Sequence, residues 1–193
     1  MSMAGHPVFD QCAGDYDRWF ETHARDYAAQ CALLRGIVPR NGMGLEVGVG
    51  SGRFASPLGI SQGLDPSPTL LAMARQRGVE TVLGIGECLP YRSGTFDYVL
   101  MMTVICYLED SGRSFREVFR VIRQKGIIVV AFLEKGGEIA EREMMREPKG
   151  RFLRHALFRT AGDVMTALTE AGFSKVGVVN NRHGFCMVTA EKD

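Results

Sequence analysis

No stretch of this sequence is both uncharged and apolar for long enough to span a bilayer. The longest such runs, of which residues 127–133 are one, fall far short of the ~20 residues a membrane helix requires. The first ten residues lack a basic head and an apolar centre, so a secretory signal is not expected. Net charge is nearly absent: 23 Lys and Arg face 22 Asp and Glu, a formal +1. That balance excludes a global basic field for non-specific nucleic-acid binding. C-x-x-C pairs are absent too, and Cys12, Cys31, Cys88, Cys106 and Cys186 are odd in number. A disulfide framework and a zinc site are disfavoured, no metal is expected, and the reducing cytoplasm is the expected compartment. There is no internal repeat and no low-complexity tract. What remains is ordinary for a globular protein: 46% hydrophobic and 23% charged residues in a chain of 193, one domain's worth, able to bury a core without cross-links.

The order of elements follows from periodicity and from local stop signals. Residues 9–38 read as helical, with Phe9, Trp19, Phe20, Tyr27, Leu33, Leu34 and Ile37 at loosely helical spacing, up to Pro39-Arg40-Asn41-Gly42. Leu45-Glu46-Val47-Gly48-Val49 alternates like a strand and runs into glycines. Residues 53–58 allow a short helix, and Gly63-Leu64-Asp65 is a strand end. Ser67 is placed as an N-cap with Pro68 at the first helical position, and Gly78 stops that helix. Residues 79–83 form the next strand, and 96–102 a continuous apolar run. The stretch 110–122 is amphipathic, and 126–133 reads as a strand buried on both faces. Residues 134–159 read as polar and irregular. Thr160-Ala161-Gly162-Asp163 matches a capping box, and its helix ends at Gly172. Residues 176–179 and 185–190 are the closing strands. This alternation predicts an α/β, Rossmann-like, doubly wound fold: a mostly parallel sheet with helices on both faces, and ligands beyond the C-terminal strand ends.

The chemistry concentrates where the first strand meets its glycines. Glu46-Val47-Gly48-Val49-Gly50-Ser51-Gly52 reads E-x-G-x-G-x-G, strand on one side and helix start on the other. Glycine is required where a backbone turns tightly and approaches a ligand. The dinucleotide fingerprint G-x-G-x-x-G fails, because Arg53 stands where its third glycine belongs, and no Gly-Lys-Ser/Thr phosphate loop exists. Asp65, 19 residues after Glu46, closes the second strand, where an acid can accept both hydroxyls of a ribose. A turn or N-cap aspartate before Pro66 is the plain alternative.

In these residues the sequence resembles the class I S-adenosylmethionine-dependent methyltransferases, within the small type 11-like group that includes ubiquinone and menaquinone biosynthesis enzymes. The resemblance runs over residues 9–190. Residues 45–52 match the family's first motif and Gly63-Leu64-Asp65-Pro66-Ser67 the second. Gly86-Glu87-Cys88-Leu89-Pro90-Tyr91 resembles the third, Phe96-Asp97-Tyr98-Val99 the fourth strand, Phe119-Arg120-Val121-Ile122 the helix before the fifth, and Ala171-Gly172-Phe173 a late signature. The resemblance implies a single domain (1–193), a seven-stranded sheet with an antiparallel last strand, an N-terminal helical lid at 9–40 and a substrate-side insertion at 134–160.

It also implies residue roles. Gly48, Gly50 and Gly52 would let the loop approach the methionine half of S-adenosylmethionine. Glu46 would orient that loop or bind the cofactor's amino group; a buried acid capping backbone amides is the other reading. Asp65 would hold the ribose, with Pro66 and the turn after it along the adenosine. Gly86, Glu87 and Cys88 would border the adenine. Met73 is a further neighbour of the ring, or simply core. Met101, Met102 and Thr103 would follow the fourth strand and face the reaction centre. Tyr107 stands where many relatives carry a His, a poorer general base because its unperturbed pKa is about 10. In Tyr16-Asp17-Arg18-Trp19-Phe20, Tyr16 is the cofactor neighbour, attracted to the sulfonium as a cation–π partner, and Trp19 the helix anchor. Lys149, Arg151, Arg154 and Arg159, with His155, suit either an anionic substrate or a solvated helix face, the plainer reading. The implied activity is methyl transfer to a small-molecule acceptor with S-adenosylhomocysteine as product. No membrane or nucleic-acid partner is expected, and a homodimer stays open. A nicotinamide oxidoreductase is disfavoured by Arg53. A non-catalytic cofactor-binding subunit would be favoured by loss of Asp65 or the glycines, and neither is lost.

Overall fold

A computed structural model of the chain describes residues 7–145 and 150–193. Three helices open it: α1 (Pro7–Gln11), α2 (Ala13–Thr22) and α3 (Ala24–Arg35). The sheet strands are β1 (Gly44–Val47), β2 (Gln62–Asp65), β3 (Glu80–Leu83), β4 (Phe96–Met102), β5 (Ile122–Leu133), β6 (Ser174–Arg182) and β7 (Phe185–Glu191). Between them lie α4 (Ala55–Leu58), α5 (Pro68–Gln76), α6 (Ser111–Val121), α7 (Glu138–Met145) and α8 (Ala161–Glu170). The strand order is β3-β2-β1-β4-β5-β7-β6. Strands β1 to β5 pair in parallel, and β7 runs antiparallel to both β5 and β6. The predicted α/β fold, with its antiparallel last strand, is therefore present.

Local chemistry sets the helix ends. The Ser67 hydroxyl accepts from the Leu70 amide at 3.2 Å, Pro68 opens α5, and Gly78 follows its end at φ +84°. Asp110 caps α6 through the Arg113 amide. Thr160 and Asp163 form the reciprocal capping box on α8.

Strand alternation then divides the core into two layers. Leu45, Val47, Val99, Met101, Ile128 and Val130 pack under α6 and α8, against Phe115, Val118, Val164 and Leu168. Tyr98, Leu100, Met102, Val129 and Ala131 face the other way, against Phe20, Leu34, Phe54 and Leu71.

Three expectations need correction. The N-terminal run is not one helical stretch, since Cys12 and His23 interrupt it with non-helical backbone. Residues 134–159 are not wholly irregular, because they contain α7. Phe20, not Trp19, anchors α2: Trp19 is 38% exposed and stacks on His23, whereas Phe20 is buried.

The fold positions a site by topology. Connections from β1 lead to β2 on one side, and β4 continues on the other, so the order reverses between β1 and β4. A crevice forms at such a switch point, beyond the C-terminal strand ends.

Candidate functional site

The glycine loop leaves β1 at that reversal. Gly48 and Gly50 have φ of +75° and +52°. A Cβ on Gly48 would lie 2.4 Å from Val104, and one on Gly50 would lie 2.9 Å from the Tyr16 hydroxyl. Conformation and space together favour glycine at both positions. The loop is laced to β2: the Gly48 and Val49 amides donate to the Leu64 carbonyl at 2.8 and 3.0 Å, and the Gly50 amide donates to Asp65 Oδ2 at 2.9 Å. Asp65 Oδ1 accepts from the Ser67 amide at 2.9 Å. Asp65 is thus both the turn acid and a fixed wall of the crevice. Burial pushes its carboxyl up to about 6, against the opposing pull of the Ser67 and Gly50 amides.

Glu46 sits on β1, buried on the side away from α6. Burial raises its pKa well above the usual range, the Ala55 amide opposes this, and the charge of Asp65 adds to it. Its Oε2 is buried with no hydrogen-bond partner. Leaving a buried acceptor unpaired costs about 1–3 kcal/mol, so the fold alone does not account for this residue.

A roof of α1 and α2 covers the loop. Burial first, then the charges of Asp65, Glu46 and Asp17, hold the Tyr16 phenol firmly protonated. The roof is fastened by residues that sequence reasoning did not assign. Asp17 receives Arg53 at 2.6 and 2.8 Å and Arg77 at 2.8 Å, and Arg53 also reaches Glu21 at 2.9 Å. Burial pushes Asp17 up, but the Arg53 hydrogen bonds and the charges of Arg77 and Arg53 outweigh it and bring the carboxyl to about 2. The Tyr27 hydroxyl donates to the Arg53 carbonyl, and the Arg77 guanidinium to the Ser51 carbonyl at 2.9 Å. Asp10 accepts from the Ser67 hydroxyl at 2.8 Å and the Thr69 amide at 3.1 Å, so Ser67 caps α5 and holds α1 with one oxygen. The available signal was Arg53 itself, the residue standing in place of a third glycine.

The far wall is built from the loop after β3 and the turn after β4. Gly86 is buried against Val47, Leu108 and Ser114. Glu87 Oε1 accepts from the Glu109 and Asp110 amides at 3.0 and 3.4 Å, tying the two loops together, and the adjoining Cys88 is exposed. Pro66 is half-buried at the turn into α5, and Met73 is half-buried on that helix.

Met101 and Met102 do not follow β4; they end it, with side chains on opposite faces and inside the two cores. The period of two forbids both from facing one crevice. Thr103 does leave the strand, at φ +50°. A β-branched residue in that region is strained by about 1–3 kcal/mol, and such strain clusters at ligand sites.

Four segments converge through aromatic rings. Phe9 of α1 packs edge-on against Tyr107 at 4.9 Å and against Tyr16 at 5.7 Å, and stacks on Phe152 at 5.4 Å. Burial, first, holds the Tyr107 hydroxyl protonated far above neutrality. Arg151 and Arg154 are exposed beside this cluster, and Arg159 is half-buried further along the segment; Lys149 lies outside the described residues.

A family model described as a methyltransferase domain matches residues 45–130, from β1 through most of β5. An uncharacterized protein of Methanocaldococcus jannaschii is 32% identical over 169 residues, 88% of this chain and 82% of its own length. The chain belongs to the class I S-adenosylmethionine-dependent methyltransferases, in the type 11 group. Among solved members, a methyltransferase from Thermotoga maritima superposes with a TM-score of 0.88 at 29% identity, covering 96% of this chain and 99% of that one. The malonyl-[acyl-carrier protein] O-methyltransferase of Geobacter sulfurreducens is 29% identical over 192 residues, 89% of this chain and 70% of its own. Members of the family take S-adenosylmethionine as cofactor, and that is the cofactor of this methyltransferase. Among the described residues no cluster of His, Cys, Asp and Glu forms a metal site, and no helix is long and apolar enough to cross a membrane.

Proposed function

We propose that this methyltransferase is an active enzyme that moves the methyl group of S-adenosylmethionine to a small-molecule acceptor by in-line displacement, leaving S-adenosylhomocysteine. The observation that carries the reading is the unpartnered, buried Oε2 of Glu46 beside the glycine loop. It fits the cofactor's amino group as a waiting acceptor, and burial strengthens such a charge-assisted bond.

The other residues fit the same group. A carboxylate has roughly four acceptor sites, so Asp65 keeps capacity for the ribose hydroxyls after binding Gly50 and Ser67. Gly48, Gly50 and Gly52 let the backbone approach the methionine half. Pro66 borders the adenosine, with the backbone of Gly86, Glu87 and Cys88 at the adenine. Thr103 lines the reaction side by its backbone, and Met102 is left to the core.

When bound, the cofactor supplies a methyl group already activated by a positively charged sulfur. The chain's own work is alignment and exclusion of water. In this proposal residues 1–193 form one domain, 9–40 are its lid, and 134–160 border the acceptor. Tyr16 meets the sulfonium with its ring face. Tyr107, held protonated, removes no proton at neutral pH; the acceptor arrives nucleophilic or loses its proton to water. A cytoplasmic location, read from cysteine usage, belongs to the same proposal.

Calorimetry with S-adenosylhomocysteine and, separately, NAD tests the cofactor part. Binding of the first alone, weakened tenfold or more by Glu46→Gln, is expected; binding of NAD alone overturns the reading. A metabolite screen for cofactor turnover then finds the acceptor. Tyr107→Phe should retain transfer to it, and abolished transfer with unchanged cofactor affinity would restore Tyr107 as the base.

A further inference from the structure

A cavity of about 390 Å³ opens between α1 and the segment that follows α7. Val8, Gln11 and Cys12 line one side, and Arg151, Arg154 and His155 the other. Its volume is within the range of small-molecule sites, about 300–1,000 Å³. Among the described residues no acidic side chain lines it. Of the two guanidiniums that line it, Arg151 is offset by Asp15, and Arg154 leaves one unbalanced positive charge at the opening. Such a concavity focuses a positive potential.

The two arginines differ in how far they are satisfied. Arg151 is held by Asp15 of α2 at 2.5 Å. Arg154 gives its Nε to His155 Nε2 at 2.9 Å, and no carboxylate among the described residues pairs with it. Its two terminal nitrogens therefore keep donors for a ligand. The fork of a guanidinium matches an oxyanion bidentately.

The cavity adjoins the aromatic cluster through the chain itself. Val8 precedes Phe9, and Arg151 precedes Phe152, and Phe9 and Phe152 stack on one another beside Tyr107. A second observation points the same way. Arg159, further along the segment, has a buried Nε without an acceptor, and its charge reaches Cys106, next to Tyr107.

We infer that this cavity is the subsite for an oxyanion, a carboxylate or a phosphate, carried by the methyl acceptor. Arg154, with Arg151, holds that group while the acceptor's apolar body lies along Phe9 and Phe152. The inference rests on the methyltransferase reading, and it names the substrate class of that site as an anionic small molecule. For Arg151 and Arg154 it stands in place of the solvated-face reading, since both line the opening.

The test is an NMR titration of the full chain, saturated with S-adenosylhomocysteine, following the arginine Nε–H signals. The probes are benzoate, phenyl phosphate, benzamide and benzylamine. Benzoate or phenyl phosphate should bind saturably and shift the Arg154 signal, and the tighter of the two identifies which oxyanion the site takes. Benzamide and benzylamine should bind at least tenfold more weakly. Arg154→Ala should weaken oxyanion binding tenfold or more, and Asp15→Ala, which releases Arg151, should tighten it severalfold. Both positions are exposed, so the variants fold. Benzamide binding as tightly as benzoate, an Arg154→Ala variant binding as well as the parent, or no oxyanion binding at all overturns the inference. Failure of S-adenosylhomocysteine to bind is seen in the same tube and strikes the cofactor reading instead; the oxyanion titration still decides the subsite.

Discussion

The two ends of the crevice are fastened in opposite ways. Around the glycine loop three polar side chains are each used more than once: Asp65 takes two amides, Ser67 caps α5 and holds Asp10, and Asp17 joins two arginines from different elements. On the side after β5, Met145 is 80% and Leu157 61% exposed, and among the described residues the segment meets the roof through the Phe152 ring against Phe9 and Tyr16 and the exposed ion pair of Arg151 with Asp15. The two aspartates measure the contrast. Asp17 keeps 16% of its side chain exposed and Asp15 keeps 49%. A cofactor of fixed chemistry demands fixed donors and acceptors, and those need buried cross-ties. The opening after β5 is bounded by exposed side chains and carries fewer such cross-ties.

The contrast breaks first at Asp65. Asp65→Ala removes two charge-assisted bonds and the ribose acceptor together, about 3 kcal/mol, and calorimetry should find affinity for S-adenosylhomocysteine reduced roughly 100-fold. Next is Asp17→Ala, which leaves Arg53 and Arg77 without their shared carboxylate. A loss of about 2 kcal/mol is expected, lowering Tm by roughly 4–8 °C in a differential scan.

A third effect is pH dependence, from Asp65 at about 6. The ionised form is the better acceptor, so affinity for S-adenosylhomocysteine should fall up to tenfold per pH unit below 6. The ligand-free protein should show the reverse through this residue: the folded state binds the proton more readily, so stability declines as pH rises from about 4 to 6. Asp17 acts oppositely, its contribution present above 3.8 and lost as pH falls through about 2. The smallest effect belongs to the other end, where Asp15→Ala should cost under about 0.5 kcal/mol, a Tm change at the edge of detection. An Asp15 loss equal to the Asp17 loss would erase the distinction between the two ends.

What could be read from the sequence was local. The apolar run of β4, the Ser67–Pro68 start of α5 and the Thr160–Asp163 box are each written within a few residues, and each is present as expected. Glu46, the glycines and Asp65 lie one motif and one strand apart, and the fold brings the loop onto Asp65 through the Gly50 amide. Helix α7 was missed because only Ala140 is buried on it, which leaves no apolar stripe. The breaks at Cys12 and His23 carry neither glycine nor proline. The fastening of the roof was out of reach for another reason. Asp17 lies 36 residues from Arg53 and 60 from Arg77, and only the tertiary fold joins them. Met101 and Met102 could not both face one crevice, because neighbouring strand residues lie on opposite faces of the sheet.

The position of β7 governs how this chain is made. It slots between β5 and β6, so the seventh strand of this sheet in sequence order is an interior one. While the ribosome has delivered residues only as far as β6, β6 has no neighbour and β5 shows a bare Ile-Ile-Val-Val border. Such borders recruit other nascent chains. A chain broken before residues 185–191 therefore leaves that border open to other chains.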